Sequence, residues 1–249
     1  MHGTASALVD TSVWRLGEFI KPVRVTRSFT FEGREHMVNV LATQRVRPYE
    51  PWKEHQLEAL PTIAHLARDG SIKLFEYGEL EIEDLRGQNL GGVVLHLLAD
   101  VPVTDARPPI ERSQFQQLSM DEFADKDTFI SFCRWLLSLD IAKLQARPAF
   151  MSRFSEFEQR CLMSLDTFRL IACHLPQTHY PDAFHLWTAE VHGLDYFLTV
   201  DKKFINVMSR TLRSALHARP ISPRDLLSEL GIKELDELPI HDWEIHDLA

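Results

Sequence analysis

The sequence predicts an α/β fold in which a mostly parallel central sheet is covered by helices on both faces. Two observations carry that expectation. Short apolar runs at residues 6–9, 72–75 and 196–200 alternate with longer stretches of helical period, as strand–helix–strand units do. Two of those runs also lead straight into an aspartate and a helix-starting sequence, Asp10 after the first and Asp201 after the last. In open parallel sheets, ligands bind beyond the carboxyl ends of the strands. These two residues are therefore the first candidates for function.

In chain order, residues 6–9 form a strand and Asp10-Thr11-Ser12 opens a helix. Residues 23–40 alternate apolar and polar side chains around Glu32-Gly33, which predicts a β-hairpin. Residues 51–68 follow helical period, with Leu57, Leu60, Ile63, Ala64 and Ala67 on one face. Pro61 lacks an amide hydrogen and kinks or divides that helix. Asp69-Gly70 ends it, and 72–75 is the second strand. The Pro-rich stretch 101–114 reads as turns, and 121–144 as an amphipathic helix containing Phe129, Phe132, Trp135 and Leu136. Helical period resumes over 155–174. After a turn at 176–181, a helix covers 183–191 and closes at Gly193, leading to the strand at 196–200. Residues 202–217 are helical, Ile221 ends a short edge strand, and Ser222-Pro223 caps a last helix over 224–230.

At 249 residues, 45% hydrophobic and 25% charged, the chain suits one large domain with a sizeable core. No apolar run reaches the roughly 18 residues of a membrane span. The opening MHGTASALVD lacks the basic-then-apolar pattern of an export signal. Cys133, Cys161 and Cys173 are odd in number and contain no CxxC pair, which fits buried thiols in a reducing compartment. The expected location is cytoplasmic. The formal charge of −9 argues against a polyanionic partner, but the charge is unevenly distributed. Lys202, Lys203, Arg210, Arg213, Arg219 and Arg224 run without an acidic residue among them, beginning directly beside Asp201. Lys21, Arg24, Arg27, Arg34, Arg45 and Arg47 are opposed only by Glu32 and Glu35, while acid gathers in the tail at 233–249.

Asp182 opens the helix that leads into the strand before Asp201. Each of the three aspartates could act simply as a helix cap, a role typically worth ~1 kcal/mol. Capping alone leaves unexplained why three carboxylates converge on one rim of the sheet, where like charges repel unless a proton or cation intervenes. Hard oxygen donors of this kind suit Mg²⁺ or Mn²⁺. Such an ion would activate a water and neutralise charge on a phosphodiester.

These residues resemble the PIN-domain (VapC-like) nuclease family. LVDTSVW at 8–14 resembles the family's opening, apolar residues leading to an aspartate and then Thr or Ser. PDAFHLWTAEVHGLDYFLTVDKKF at 181–204 is similar to its second half, where Asp-Ala opens a helix and an apolar strand ends in Thr-x-Asp. ISPRDLLSEL at 221–230 resembles its closing strand and Pro-led helix. The resemblance covers about 6–80 and 165–232. It implies a three-layer α/β/α PIN-like fold carrying a β-hairpin insertion at about 23–45 and a helical insertion at about 100–165.

The resemblance also implies a ribonuclease that holds Mg²⁺ or Mn²⁺ on Asp10, Asp182 and Asp201. A glutamate from the helix before the second strand completes the set; Glu54 and Glu58 are the candidates, and Glu58 is chosen by its distance to that strand. Thr11 and Thr199 would position the carboxylates, and Lys202, Lys203, Arg210 and Arg213 would hold the RNA backbone. A non-cutting scaffold for RNA or a protein is the alternative, with the toxin of a toxin–antitoxin pair a third reading and a homodimer plausible by resemblance. Cys173, His174, His179 and His185 match no familiar zinc spacing. Gly91-Gly92 lacks the ending of a phosphate loop, and His241-Asp242 and His246-Asp247 lie in the acidic tail.

Overall fold

The computed structural model describes residues 4–45, 48, 50–87, 96–115, 119–239 and 245–247. Gly91-Gly92 and His241-Asp242 lie outside them. Strand β1 (Ala5–Val9) leads through Asp10 into helix α1 (Thr11–Gly17). Two twelve-residue strands follow, β2 (Ile20–Phe31) and β3 (Arg34–Arg45), paired antiparallel from Ile20 opposite Arg45 to Phe31 opposite Arg34. The turn between them places Glu32 at φ 48° and Gly33 at φ 72°. That is the two-residue turn whose twist suits a hairpin and which favours glycine. The hairpin expected at 23–40 is therefore present and extends further at both ends.

Helix α2 (Pro51–Leu57) and helix α3 (Leu60–Arg68) replace one continuous helix, because Pro61 sits in the first turn of α3 and cannot continue α2. Strand β4 (Ile72–Glu76) and helix α4 (Gly78–Gly87) come next. A short strand, β5 (Val103–Asp105), lies within the stretch expected to be all turn. Its three residues are too few to show a period.

The helical segment then runs through α5 (Met120–Ala124), α6 (Lys126–Ser138), α7 (Ile141–Gln145), α8 (Pro148–Met151), α9 (Glu156–Met163) and α10 (Leu165–Ala172). The single helix expected at 121–144 is divided because Asp125 and Asp140 each turn a side chain onto the backbone three residues on, at Thr128 and Lys143. The 155–174 helix also divides at Ser164, whose hydroxyl donates back to the Cys161 carbonyl rather than capping the next helix. Helix α11 (Tyr180–Val191), strand β6 (Tyr196–Leu198), helix α12 (Lys202–Thr211), strand β7 (Arg219–Ile221), helix α13 (Pro223–Glu229) and strand β8 (Ile245–Asp247) complete the chain. Helix α12 stops short of the expected 217, where Leu212 leaves helical geometry and turns into the core.

Five strands form a wholly parallel sheet in the order β5-β4-β1-β6-β7. Alternate residues of β1 bury on opposite sides. Leu8 joins a core with the residues of α6, α9, α10 and α11, while Ala7 and Val9 join one with α2, α3 and α13. Helices thus cover both faces, as the alternation of strands and helices requires. The hairpin forms a separate small sheet, with β8 pairing onto β3 over residues 42–44. Among the described residues, no helix is long and apolar enough to cross a membrane. Cys133 and Cys161 are buried as expected, whereas Cys173 is exposed; none of the three is in a disulfide.

Candidate functional site

From β1 the chain moves outward to β4 and β5, then returns on the other side of β1 through β6 and β7. The strand order therefore reverses between β1 and β6, and the crevice at such a point is where open sheets take ligands. There the carboxyl ends of the strands open a cleft of about 430 Å³ lined by Asp10, Glu83, Asp182 and Asp201.

Asp10 continues β1, its amide donating to the Leu198 carbonyl of β6 at 2.9 Å. It precedes α1 but its carboxylate does not cap that helix. Instead Oδ2 accepts from Thr199 Oγ1 at 2.7 Å and from Ser12 Oγ. Thr199 Oγ1 in turn accepts from the Asp201 amide at 3.1 Å, and Ser12 Oγ from the Val200 amide at 3.2 Å. Two strand ends are thereby locked together around one carboxylate. Burial raises the pKa of Asp10 above its ordinary value, and Ser12, His185 and Thr199 offset that only in part.

Asp182 sits in the first turn of α11, whose N-cap is His179, and its Oδ2 lies 2.7 Å from His179 Nδ1. Burial, followed by the nearby charge of Asp10, pushes its pKa up to about 6. Asp201 differs from the other two. It caps α12, with Oδ1 accepting from the Lys203 and Phe204 amides, each at 2.9 Å. Of the three aspartates that could have been plain N-caps, Asp201 alone makes the capping bonds.

The fourth carboxylate is Glu83 on α4. Burial pushes it up, but the His185 contact and charge, with Arg15 and Lys126, outweigh burial and hold it at about 2. Its Oε2 lies 3.5 Å from His185 Nε2 and 3.5 Å from Thr11 Oγ1, which also donates to the Leu80 carbonyl. His185 is wholly buried beneath the cleft, and its Nδ1 contacts the hydroxyl of buried Tyr77 at 2.6 Å. Burial lowers the imidazole pKa, yet Glu83, Asp10 and Asp182 together raise it above the ordinary value. Glu83, Asp10 and Asp182 thus favour the protonated form of this ring, against the effect of its burial.

No protein-family model, curated protein or solved structure matches this chain.

Glu58 does not line the acidic cleft. With Glu54, Arg45 and Asp236 it lines another cleft, where Arg45 Nη2 approaches Glu54 Oε1 at 4.0 Å. The reason is helical rotation. Leu57 lines the acidic cleft, and the next residue projects about 100° around the axis. Glu83 lines the cleft where Glu58 does not, and it went unnoticed in the sequence because 78–87 was not recognised as a helix. A signal was present. Glu79 and Glu83 are spaced i, i+4, which puts both on one helix face. Glu79 turns to the buried guanidinium of Arg112, with Arg112 Nε at 2.7 Å from Glu79 Oε1, and Glu83 lines the cleft.

Thr199 touches Asp10 and Thr11 touches Glu83, so both threonines contact carboxylates of the cleft. Lys202 and Lys203 are exposed beside Asp201, and Lys202 Nζ lies 5.6 Å over the Trp52 ring. Arg210 is in the last turn of α12 and Arg213 lies two residues beyond the helix, lining a separate cleft with Ile205 and Glu229. Arg15 and Lys53, not nominated from sequence, line the acidic cleft itself. Trp187 is fully buried and Trp135 and Trp52 pack against the cores.

Among the described residues, no three His, Cys, Asp or Glu side chains already converge as a metal cage. The donor set nevertheless fits a hard divalent cation in kind. It is all-oxygen and anionic, and the cleft is open enough for water to complete a shell. The upward shifts of Asp10 and Asp182 come first from burial, with the neighbouring carboxylate charge adding to it, and a bound cation would offset both.

Proposed function

We propose that the acidic cleft is the active site of a metal-dependent ribonuclease of PIN-like type. The observation that carries this reading is the meeting of Asp10, Glu83 and Asp182 in one cleft at the sheet's switch point, from three elements far apart in sequence. Asp10, Glu83 and Asp182 would hold Mg²⁺ or Mn²⁺, with Asp201 at the rim. When bound, the ion lowers the pKa of a water and neutralises charge developing on the phosphodiester.

The protein's own groups do the rest. Ser12 and Thr199 donate to Asp10 and hold its carboxylate in one orientation. Tyr77 fixes the ring of His185, and His185 holds Glu83 ionised and turned toward the cleft. Arg15 and Lys53 in the cleft, with Lys202 and Lys203 beside it, offset the negative field so that a phosphate can approach.

A scaffold that binds RNA without cutting it is the second reading. It is favoured by the engagement of Asp201 Oδ1 in helix capping and by the position of Glu54 and Glu58 outside the cleft. Cleavage of labelled single-stranded RNA in Mn²⁺, Mg²⁺ or EDTA separates the two. Cutting that needs metal and is lost in Asp10→Asn and Asp182→Asn supports the nuclease. Absence of cutting by folded wild-type protein on varied RNAs supports the scaffold.

A further inference from the structure

The β2–β3 hairpin is the most conspicuous feature that the acidic cleft does not use. Its twelve-residue strands, at about 3.4 Å per residue, reach roughly 40 Å. Beyond the short pairing with β8, no strand among the described residues covers it. Two-stranded ribbons are marginally stable alone in water, and this one is also greasy. Phe29 (50% exposed), Phe31 (60%), Met37, Val38 and Leu41 all lie on it, and among the described residues only Met163 and Leu170 are comparable elsewhere.

The register sorts these side chains by face, because directly opposed residues of an antiparallel ladder project to the same side. One face carries Arg27 opposite Val38, Phe29 opposite His36, and Phe31 opposite Arg34. Nearer the root the same face carries the aliphatic pairs Val25 opposite Val40 and Val23 opposite Ala42, then Lys21 opposite Gln44. The other face carries Thr26 opposite Asn39, Ser28 opposite Met37, and Thr30 opposite Glu35, with Arg24 opposite Leu41 and Ile20 opposite Arg45 nearer the root. Of the two acids in the hairpin, Glu35 is therefore on the second face and Glu32 is in the turn. The first face is basic and aromatic, with no acid on it, in a chain of net charge −9. The Phe29 and His36 rings already stack, with centroids 5.5 Å apart.

We propose that the Arg27–Phe29–Phe31–Arg34–His36 face of this ribbon binds single-stranded RNA, stacking bases on its rings and pairing phosphates with its guanidinium groups. Every base has a π-face, so such a platform grips single strands with little regard to sequence, and the local positive charge complements the backbone. The root of the ribbon supports the assignment. Glu18, two residues before β2, and Pro48, three residues after β3, both line the acidic cleft. The ribbon thus springs from the edge of the cleft, so that capture on it would hold RNA near the site, a consequence that rests on the nuclease reading, whereas the binding itself does not.

The test is the affinity of wild-type protein for a fluorescent 20-nucleotide single-stranded RNA, read by anisotropy in EDTA so that cutting plays no part. Phe29→Ala/Phe31→Ala is expected to weaken binding at least about tenfold, with Phe29→Trp/Phe31→Trp retaining it. Arg27→Gln/Arg34→Gln is expected to lower the slope of log affinity against log salt by about 1.4, two phosphate contacts at about 0.7 each. All these sites are exposed, and circular dichroism melting checks that the fold is kept. Wild-type and Ala variants binding alike would overturn the proposal. So would light scattering that finds a wild-type dimer dissolved by the Phe substitutions while RNA affinity is unchanged, which would make the face a contact between copies. Binding without any cutting in Mn²⁺ would defeat the nuclease reading and leave the ribbon assignment standing.

Discussion

The acidic cleft and the β2–β3 ribbon stand a few residues apart in the chain but are built in opposite ways. In the cleft, the side chains are interlocked. Asp10 is fixed by two hydroxyl donors, those hydroxyls are fixed by the amides of Val200 and Asp201, and Glu83 is backed by the buried His185–Tyr77 pair. On the ribbon, large apolar and basic side chains stand in solvent on a two-stranded ladder with little packed beneath them. Buried polar groups must find partners or lose free energy, so the cleft can keep its geometry without a ligand. An exposed ladder has low local stability and adapts to what it meets. The difference suggests separate tasks, with chemistry at the cleft and substrate capture on the ribbon.

The largest expected effect is that of Asp10→Asn. RNA cleavage should fall at least about a hundredfold, while affinity for the same RNA in EDTA stays as in wild type. Equal loss of both would erase the separation between the two regions. Tyr77→Phe should act through His185 and Glu83, slowing cleavage by about tenfold. Leaving the buried imidazole nitrogen unsatisfied should also cost ~1–2 kcal/mol of stability. A full rate in Tyr77→Phe, measured beside its thermal midpoint, would detach that pair from the site.

A smaller effect concerns pH. The folded-state pKa of Asp182 lies near 6, above its ordinary value of 3.8. The folded protein therefore holds this proton more tightly than the unfolded chain does. The associated stability is fully present below about pH 4 and is lost as pH rises through 6. Asp182→Asn removes that dependence. Its melting midpoint should match wild type near pH 4 and exceed it by several °C at pH 8, the rise from 3.8 to about 6 being worth roughly 3 kcal/mol before solvent screening reduces it. A gap that does not change with pH would show that the carboxyl is not strained by burial. The smallest effect belongs to the ribbon turn. Gly33→Ala strains a residue at φ 72° by ~1 kcal/mol, so amide exchange should quicken in β2 and β3 while core amides and the global midpoint stay unchanged.

The legible parts of this chain were those with a local cause. Apolar strands that end in Asp10 and Asp201 announce themselves, and the alternation around Glu32-Gly33 marks the hairpin, although not that its aromatic and basic residues share a face. That needs the register. Asp125 and Asp140 broke an apparently continuous helix because N-capping competes with helical period at single polar residues. The position of Glu58 outside the acidic cleft has a different cause. The break at Pro61 is visible in the sequence, but the rotation that turns Glu58 away from the cleft is set by packing. The Tyr77–His185 pair was out of reach, since 108 residues separate the two and only the sheet order brings them together.

The central claim is that Glu83, with Asp10 and Asp182, completes a metal-dependent nuclease site. It is tested most directly by single-turnover cleavage of one labelled RNA in Mn²⁺ and in EDTA by wild type, Glu83→Gln and Glu58→Gln. Wild type and Glu58→Gln should cut at similar rates in Mn²⁺ only, with Glu83→Gln at least about a hundredfold slower. Cutting by Glu83→Gln at the wild-type rate, or cutting by any of the three in EDTA, would contradict it.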